Sequence, residues 1–141
     1  MAPSFHSPQE FREVMDRVFA MMSEDPEMGP QLRDADVPQR FEFSDVDLVL
    51  NVRPARAGEN ANLHWQWSDT VDWEPKVSMV MSSQTANKFF QGKENVALAV
   101  ARRRIKPSGD ISAALALAPI TKPLNARYRD LVAAEYPHLV A

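Results

Sequence analysis

The chain has 141 residues, 45% hydrophobic and 25% charged, with a net charge of −3. Those values describe one globular domain over 1–141, and exclude both a disordered chain and a polycation built for nonspecific nucleic-acid binding. There is no cysteine, which removes disulfides, thiolate catalysis and cysteine-based zinc sites.

Ser7-Pro8-Gln9-Glu10 starts a helix: Ser7 caps it, Pro8 suits the first position and Glu10 completes a capping box. Phe11, Val14, Met15, Val18, Phe19 and Met22 follow at helical spacing, which predicts an amphipathic helix over 8–24 ending before Pro26. Between Asp25 and Arg40, three prolines and a glycine leave room for one short helix around Gln31 to Ala35. From Val46 the period changes to two, and Val46, Leu48, Leu50 and Val52 mark a half-buried strand. After a turn over 54–62, Leu63, Trp65 and Trp67 mark a second strand hairpinned to the first. Val77, Met79 and Met81 mark a third.

Ser83 or Thr85 caps a short helix with Ala86, Phe89 and Phe90 on one face and Gly92 as its left-handed stop. Alanine content makes Val96 to Ala101 a helix. Arg103 to Lys106 reads as a short strand ended by Pro107 and Gly109, and Ile111 to Ala118 as helical. A final amphipathic helix over 124–136 carries Tyr128, Leu131 and Val132. The sum is an α+β domain with helices against one mostly antiparallel sheet.

Motifs for chemistry are missing. Gly29, Gly58, Gly92 and Gly109 are too few and too scattered for a dinucleotide fingerprint or a P-loop, and no Gly-x-Ser-x-Gly elbow occurs. His6, His64 and His138 lie far apart, without the close pairings of metal-binding helices. No catalytic residue, metal ligand or cofactor is therefore expected. His64 reads as a solvent-side strand residue, and Asp69, Asp72 and Glu74 as a solvated turn that misses the EF-hand spacing.

Arg102, Arg103 and Arg104, with Lys106, form the dense basic run. They serve either as a charged strand edge that discourages aggregation or as contacts for anionic lipid headgroups or the phosphates of a coenzyme A ester. Met15, Met22, Met79, Met81, Trp65, Trp67, Phe89 and Phe90 make either an ordinary core or the adaptable wall of an apolar space.

Phe89-Phe90-Gln91-Gly92-Lys93, Ala99, Arg104-Ile105-Lys106, Gly109-Asp110, and Ala114, Leu115 and Leu117 together resemble the sterol carrier protein 2 family. The family pattern runs Gly-Lys, a small helix with an inward alanine, a Lys-hydrophobic-Lys strand, Gly-Asp or Gly-Asn, and an Ala- and Leu-rich helix. Val77 to Ser82 followed by Thr85 is similar to the strand before the family's helix, so the likeness covers 45–120. Val96 stands where the family often has proline, Arg103 where glycine is common, and Pro107 where an aliphatic residue would extend the strand.

The resemblance implies a five-stranded sheet covered by helices that enclose an apolar tunnel, with the fifth strand within Gln39 to Phe43. It also implies a cofactor-free carrier that binds and transfers sterols, fatty acids or fatty acyl-CoA. The expected lining is Phe19, Met22, Leu50, Trp65, Met79, Met81, Phe89, Phe90, Leu98, Leu115 and Leu117, with Arg102, Arg103 and Arg104 as candidate headgroup contacts. Expected partners are the lipid, a membrane surface or a lipid-metabolising enzyme, but no nucleic acid, and the state is monomer or weak dimer. The first residues lack a signal-peptide pattern, no apolar run approaches the roughly 18 residues of a bilayer span, and the last are not Ser-Lys-Leu, so the expected location is cytoplasmic. Two other readings stand beside the carrier: an accessory module with a closed cavity, and an enzyme on a lipid-like substrate that recruits His64 or Asp72.

Overall fold

A computed structural model describes residues 3–141. Ser7 Oγ accepts the Glu10 N–H at 3.1 Å and caps helix α1 (Pro8–Glu24). The reciprocal half of the capping box is displaced, because Glu10 Oε1 accepts the His6 amide rather than that of Ser7. All six stripe residues of α1, Phe11 to Met22, are buried. Helix α2 (Met28–Ala35) begins three residues before the expected Gln31, since Asp25 Oδ1 accepts the N–H groups of Glu27 and Met28 and supports an earlier start.

Five strands follow: β1 (Gln39–Phe43), β2 (Leu48–Pro54), β3 (Leu63–Trp67), β4 (Val77–Met81) and β5 (Ile105–Gly109). Their order is β3-β2-β1-β4-β5, so β1 is the fifth strand expected within Gln39 to Phe43. The β1–β4 pair is parallel and the other three pairs are antiparallel. Phe41, Phe43, Leu50, Trp65 and Trp67 share the face under α1, where Phe11 meets Phe43 at 4.6 Å and Phe19 meets Phe41 at 6.0 Å.

Strand β5 starts two residues later than expected and runs through Pro107 instead of stopping there. Arg103 takes a left-handed turn (φ 62°), which delays the strand. Pro107 is tolerated because β5 is an edge strand, where a missing N–H can face outward.

Helix α3 (Ser83–Phe90) is capped by Ser82, whose Oγ accepts the Thr85 N–H at 3.1 Å. Ser83, one of the two expected caps, donates instead through N and Oγ to the Asp45 carboxylate at 2.7 and 2.6 Å. Gly92 (φ 74°) ends α3 with Lys93 N donating to Lys88 O and Gly92 N to Phe89 O, the crossed bonds of a left-handed stop. Asn95 caps α4 (Val96–Ala101) and Asp110 caps α5 (Ile111–Ala116). The helix expected over 111–118 breaks into α5 and α6 (Ala118–Thr121) because Pro119 has no N–H for the carbonyl four residues back.

Helix α7 (Leu124–Glu135) stops one residue short of Tyr136, which precedes Pro137 and is driven out of helical geometry. A 3-10 turn, Pro137–Leu139, closes the chain onto α3. There the buried Tyr128 hydroxyl donates to Asn87 Oδ1 at 2.8 Å, while Asn87 and Gln91 both donate to the Leu139 carbonyl at 2.8 Å. Burial holds the Tyr128 hydroxyl well above its ordinary pKa, so it stays a donor.

The two left-handed positions flanking β5 have opposite expectations. A Cβ on Gly109 (φ 84°) would sit 2.6 Å from the Lys76 carbonyl oxygen. Gly109→Ala is therefore expected to lose about 2 kcal/mol of unfolding free energy or more. Arg103→Gly relieves a strained side-chain-bearing residue and is expected to gain up to about 1 kcal/mol. Urea unfolding of the two variants measures both signs.

Candidate functional site

The helices that follow β4 do not fill the space they cover. In α4 only Ala99 is buried, and α5 and α6 bury no residue at all. Beneath them lies a cavity of about 340 Å³. Its floor is the sheet, through Phe41, Val52, Met79, Ile105 and Pro107. One wall is the end of α1 and α2, through Phe19, Met22 and Leu32. Another is Phe89 and Phe90 of α3, and the roof is α4 to α6 with Leu124 of α7. Val96, Val100, Ile111 and Leu115 line it yet are 36–60% exposed, so it opens to the surface between α4 and α5.

Seven of the eleven expected lining residues meet there: Phe19, Met22, Met79, Phe89, Phe90, Leu115 and Leu117. The other four do not line it. Leu50 is fully buried opposite Phe41 and Trp67, in the part of the sheet that α1 seals. Met81 is buried one step further along, between Phe43 and Ile105. Trp65 lies on the floor strand nearest α1, and its indole N–H donates to Asp16 at 3.1 Å, as does that of Trp67 at 2.7 Å. An indole donor needs a partner, and Asp16 supplies one on the helix rather than in the cavity. Leu98 falls outside it, because the side of α4 that borders the cavity carries Val96 and Val100 at i and i+4.

Several lining residues carry no periodic signal. Val96 and Val100 read as generic helix, and Pro107 as a strand terminator. Gln39, Arg53, Glu94, Thr121 and Asn125 are the polar part of the lining. The Glu94 side chain is only 7% exposed, and Arg104 donates to it at 2.9 Å. Arg104 is thus committed to an internal ion pair, whereas Arg102 and Arg103 are exposed and pair with no carboxylate among the described residues. None of the three arginines lies on a strand, so they do not form the charged strand edge that is one of the two expectations. Arg102 caps the end of α4 and Arg103 and Arg104 belong to the turn before β5.

His64 stands opposite Arg53, with its ring 5.8 Å from Trp73. Strand alternation puts it on the sheet face away from the cavity. Asp72 is exposed and pairs with Arg56 at 3.3 Å. Neither residue lines the cavity, which removes the geometry that a reaction recruiting them would need. Among the described residues, no helix is long and apolar enough to cross a membrane.

No family model and no curated protein matches the sequence. Solved structures do match in fold. The UbiJ-SCP2 ubiquinone synthesis protein aligns with a TM-score of 0.60 at 8% identity, over 83% of this chain and 96% of its own. Sterol carrier protein 2 from Yarrowia lipolytica, in its apo form, aligns with a TM-score of 0.57 at 11% identity, over 89% and 98%. The inverting sec-alkylsulfatase Pisa1 from Pseudomonas contains a similar fold, with a TM-score of 0.52 at 15% identity over 62% of this chain. This chain spans only 13% of that enzyme's length.

The ion pair on the cavity wall predicts a non-additive response. Arg104→Met leaves Glu94 largely buried without its partner and is expected to cost about 1–2 kcal/mol, the partial exposure of Arg104 lowering the cost from that of a fully buried pair. Adding Glu94→Leu is expected to recover most of the loss. A double-mutant cycle by chemical denaturation checks both values.

Proposed function

This protein has the fold of sterol carrier protein 2 domains, and we propose that it uses the cavity as they would use theirs, to hold one apolar molecule. The observation that carries the reading is a cavity of about 340 Å³ walled by aliphatic and aromatic side chains and open through an apolar mouth. The ligands it suits are fatty acids, fatty acyl-CoA and sterols. A volume near the lower end of the roughly 300–1,000 Å³ typical of small-molecule pockets supports a single acyl chain over a rigid sterol nucleus in this reading. Two methionines, Met22 and Met79, give the wall a side chain that adapts to varied apolar shapes.

The energetics fit a carrier. Burying about 300 Å² of apolar ligand surface yields about 7 kcal/mol, which corresponds to roughly ten micromolar affinity before association costs. That grip is nondirectional and releases its cargo readily. Arg102 follows the lining residue Val100 by two positions in the chain, and Arg103 follows directly. These cations pair with no carboxylate among the described residues, and in this reading they meet the phosphates of an acyl-CoA or the headgroups of an anionic membrane during transfer. Delivery to a lipid-metabolising enzyme would use the same apolar rim.

Two measurements test this. A fluorescent fatty acid is expected to bind at micromolar to tens of micromolar concentration, and Ala114→Trp, which fills the cavity, is expected to weaken it by about tenfold or more while shifting unfolding by less than about 1 kcal/mol. Absence of binding by the unsubstituted protein at about a hundred micromolar would remove the proposal. The paired change Arg102→Glu with Arg103→Glu is expected to weaken acyl-CoA more than the free acid, with the gap closing as salt rises. Equal effects on both ligands would take the arginines out of headgroup recognition.

A further inference from the structure

The sequence scatters its histidines, but the fold brings two of them together away from the cavity. His6 precedes α1, Glu10 lies in its first turn, and His138 sits in the terminal 3-10 turn, 128 positions from Glu10. The His6 and His138 rings stack with centroids 3.8 Å apart and planes within 11°. Glu10 Oε1 is 2.8 Å from His138 Nε2, and Glu10 Oε2 is 3.5 Å from His6 Nδ1. One donor atom from each residue can be chosen so that all lie within 4.8 Å of one another.

We propose that His6, Glu10 and His138 form a site for one zinc-class divalent cation that fastens the segment before α1 to the end of the chain. Donors at about 2.0–2.1 Å from a tetrahedral zinc ion are about 3.4 Å apart, and the observed separations bracket that figure. Two imidazoles and one carboxylate are a donor set suited to zinc, copper or nickel rather than to magnesium or calcium, which prefer oxygen. With three protein ligands, water fills the fourth position.

Both anchors are already in place. Phe5 packs on Phe11 at 4.9 Å, which seats the leading segment, and Leu139 is buried with its carbonyl held by Asn87 and Gln91. The ring planes must splay for their lone pairs to meet one ion. The His6 side chain, 69% exposed, is free to turn. No lysine or arginine among the described residues pairs with Glu10, so no side-chain ammonium or guanidinium group must be displaced from the carboxylate.

The test uses the full chain, free of any histidine tag and stripped with a chelator. Calorimetric titration with zinc chloride is expected to give one saturable site per chain, and zinc in roughly hundredfold excess over its dissociation constant is expected to raise the unfolding temperature. His6→Asn and His138→Gln keep polar side chains at these positions, and each is expected to weaken zinc by about tenfold or more. His64→Gln, on the far face of the sheet, is expected to leave zinc binding unchanged. Amide NMR shifts on zinc addition should centre on His6, Glu10 and His138.

The proposal is overturned if no saturable zinc binding occurs below about a hundred micromolar. An unchanged isotherm in the His6→Asn or His138→Gln protein overturns it as well, as does an equal response to magnesium. None of these readouts depends on whether the cavity holds a lipid.

Discussion

The structure rests on one contact, the apolar stripe of α1 laid across one face of the sheet. Six side chains from Phe11 to Met22 are buried there, worth roughly 10 kcal/mol of gross transfer free energy before chain entropy is counted. The stripe meets an aromatic bed of Phe41, Phe43, Trp65 and Trp67, and Asp16 on the same helix receives both indole N–H groups. Because this half of the sheet is sealed so completely, the other half need not be. The solid core lets the helices from α4 to α6 stand over an open volume.

That division explains what each apolar residue does. Leu50 and Met81 are as hydrophobic as Phe19 and Met79, yet they fall under the sealed half and line nothing. Leu115, by contrast, is 60% exposed and would be a liability on an ordinary surface. Beside Val96, Val100 and Ile111 it forms the rim of an opening. Burial alone therefore does not mark the cavity wall. The wall mixes deeply buried residues such as Met22 with exposed ones.

Two polar arrangements fix the ends of the fold. Asn87 and Gln91 hold the Leu139 carbonyl, with Asn87 in turn accepting from the Tyr128 hydroxyl, and dock the last turn on α3. Glu94 and Arg104 brace the wall between α3 and β5. Each satisfies buried polar atoms that would otherwise cost stability. Arg104 is drawn out of the basic run by this bracing, leaving Arg102 and Arg103 exposed.

Local physics made much of the fold readable. The stripe from Phe11 to Met22 could pack only as an amphipathic helix, and the alternation through Leu48, Leu50 and Val52 only as a strand face. Gly92 and Gly109 take the positive φ that glycine tolerates, and Arg103 takes it while carrying a side chain. The α+β class followed from such patterns, whereas the strand at Gln39 to Phe43 and the seven expected residues that meet at the cavity came with the family resemblance. Tertiary structure decided the rest. Periodicity says which side of an element is apolar but not whether the opposing layer fills the gap. It therefore could not separate Leu50 from Met79, or Leu98 from Val100. The meeting of His6 with His138 lay equally beyond it, since only the docking of the last turn onto the first helix brings the two ends of the chain together.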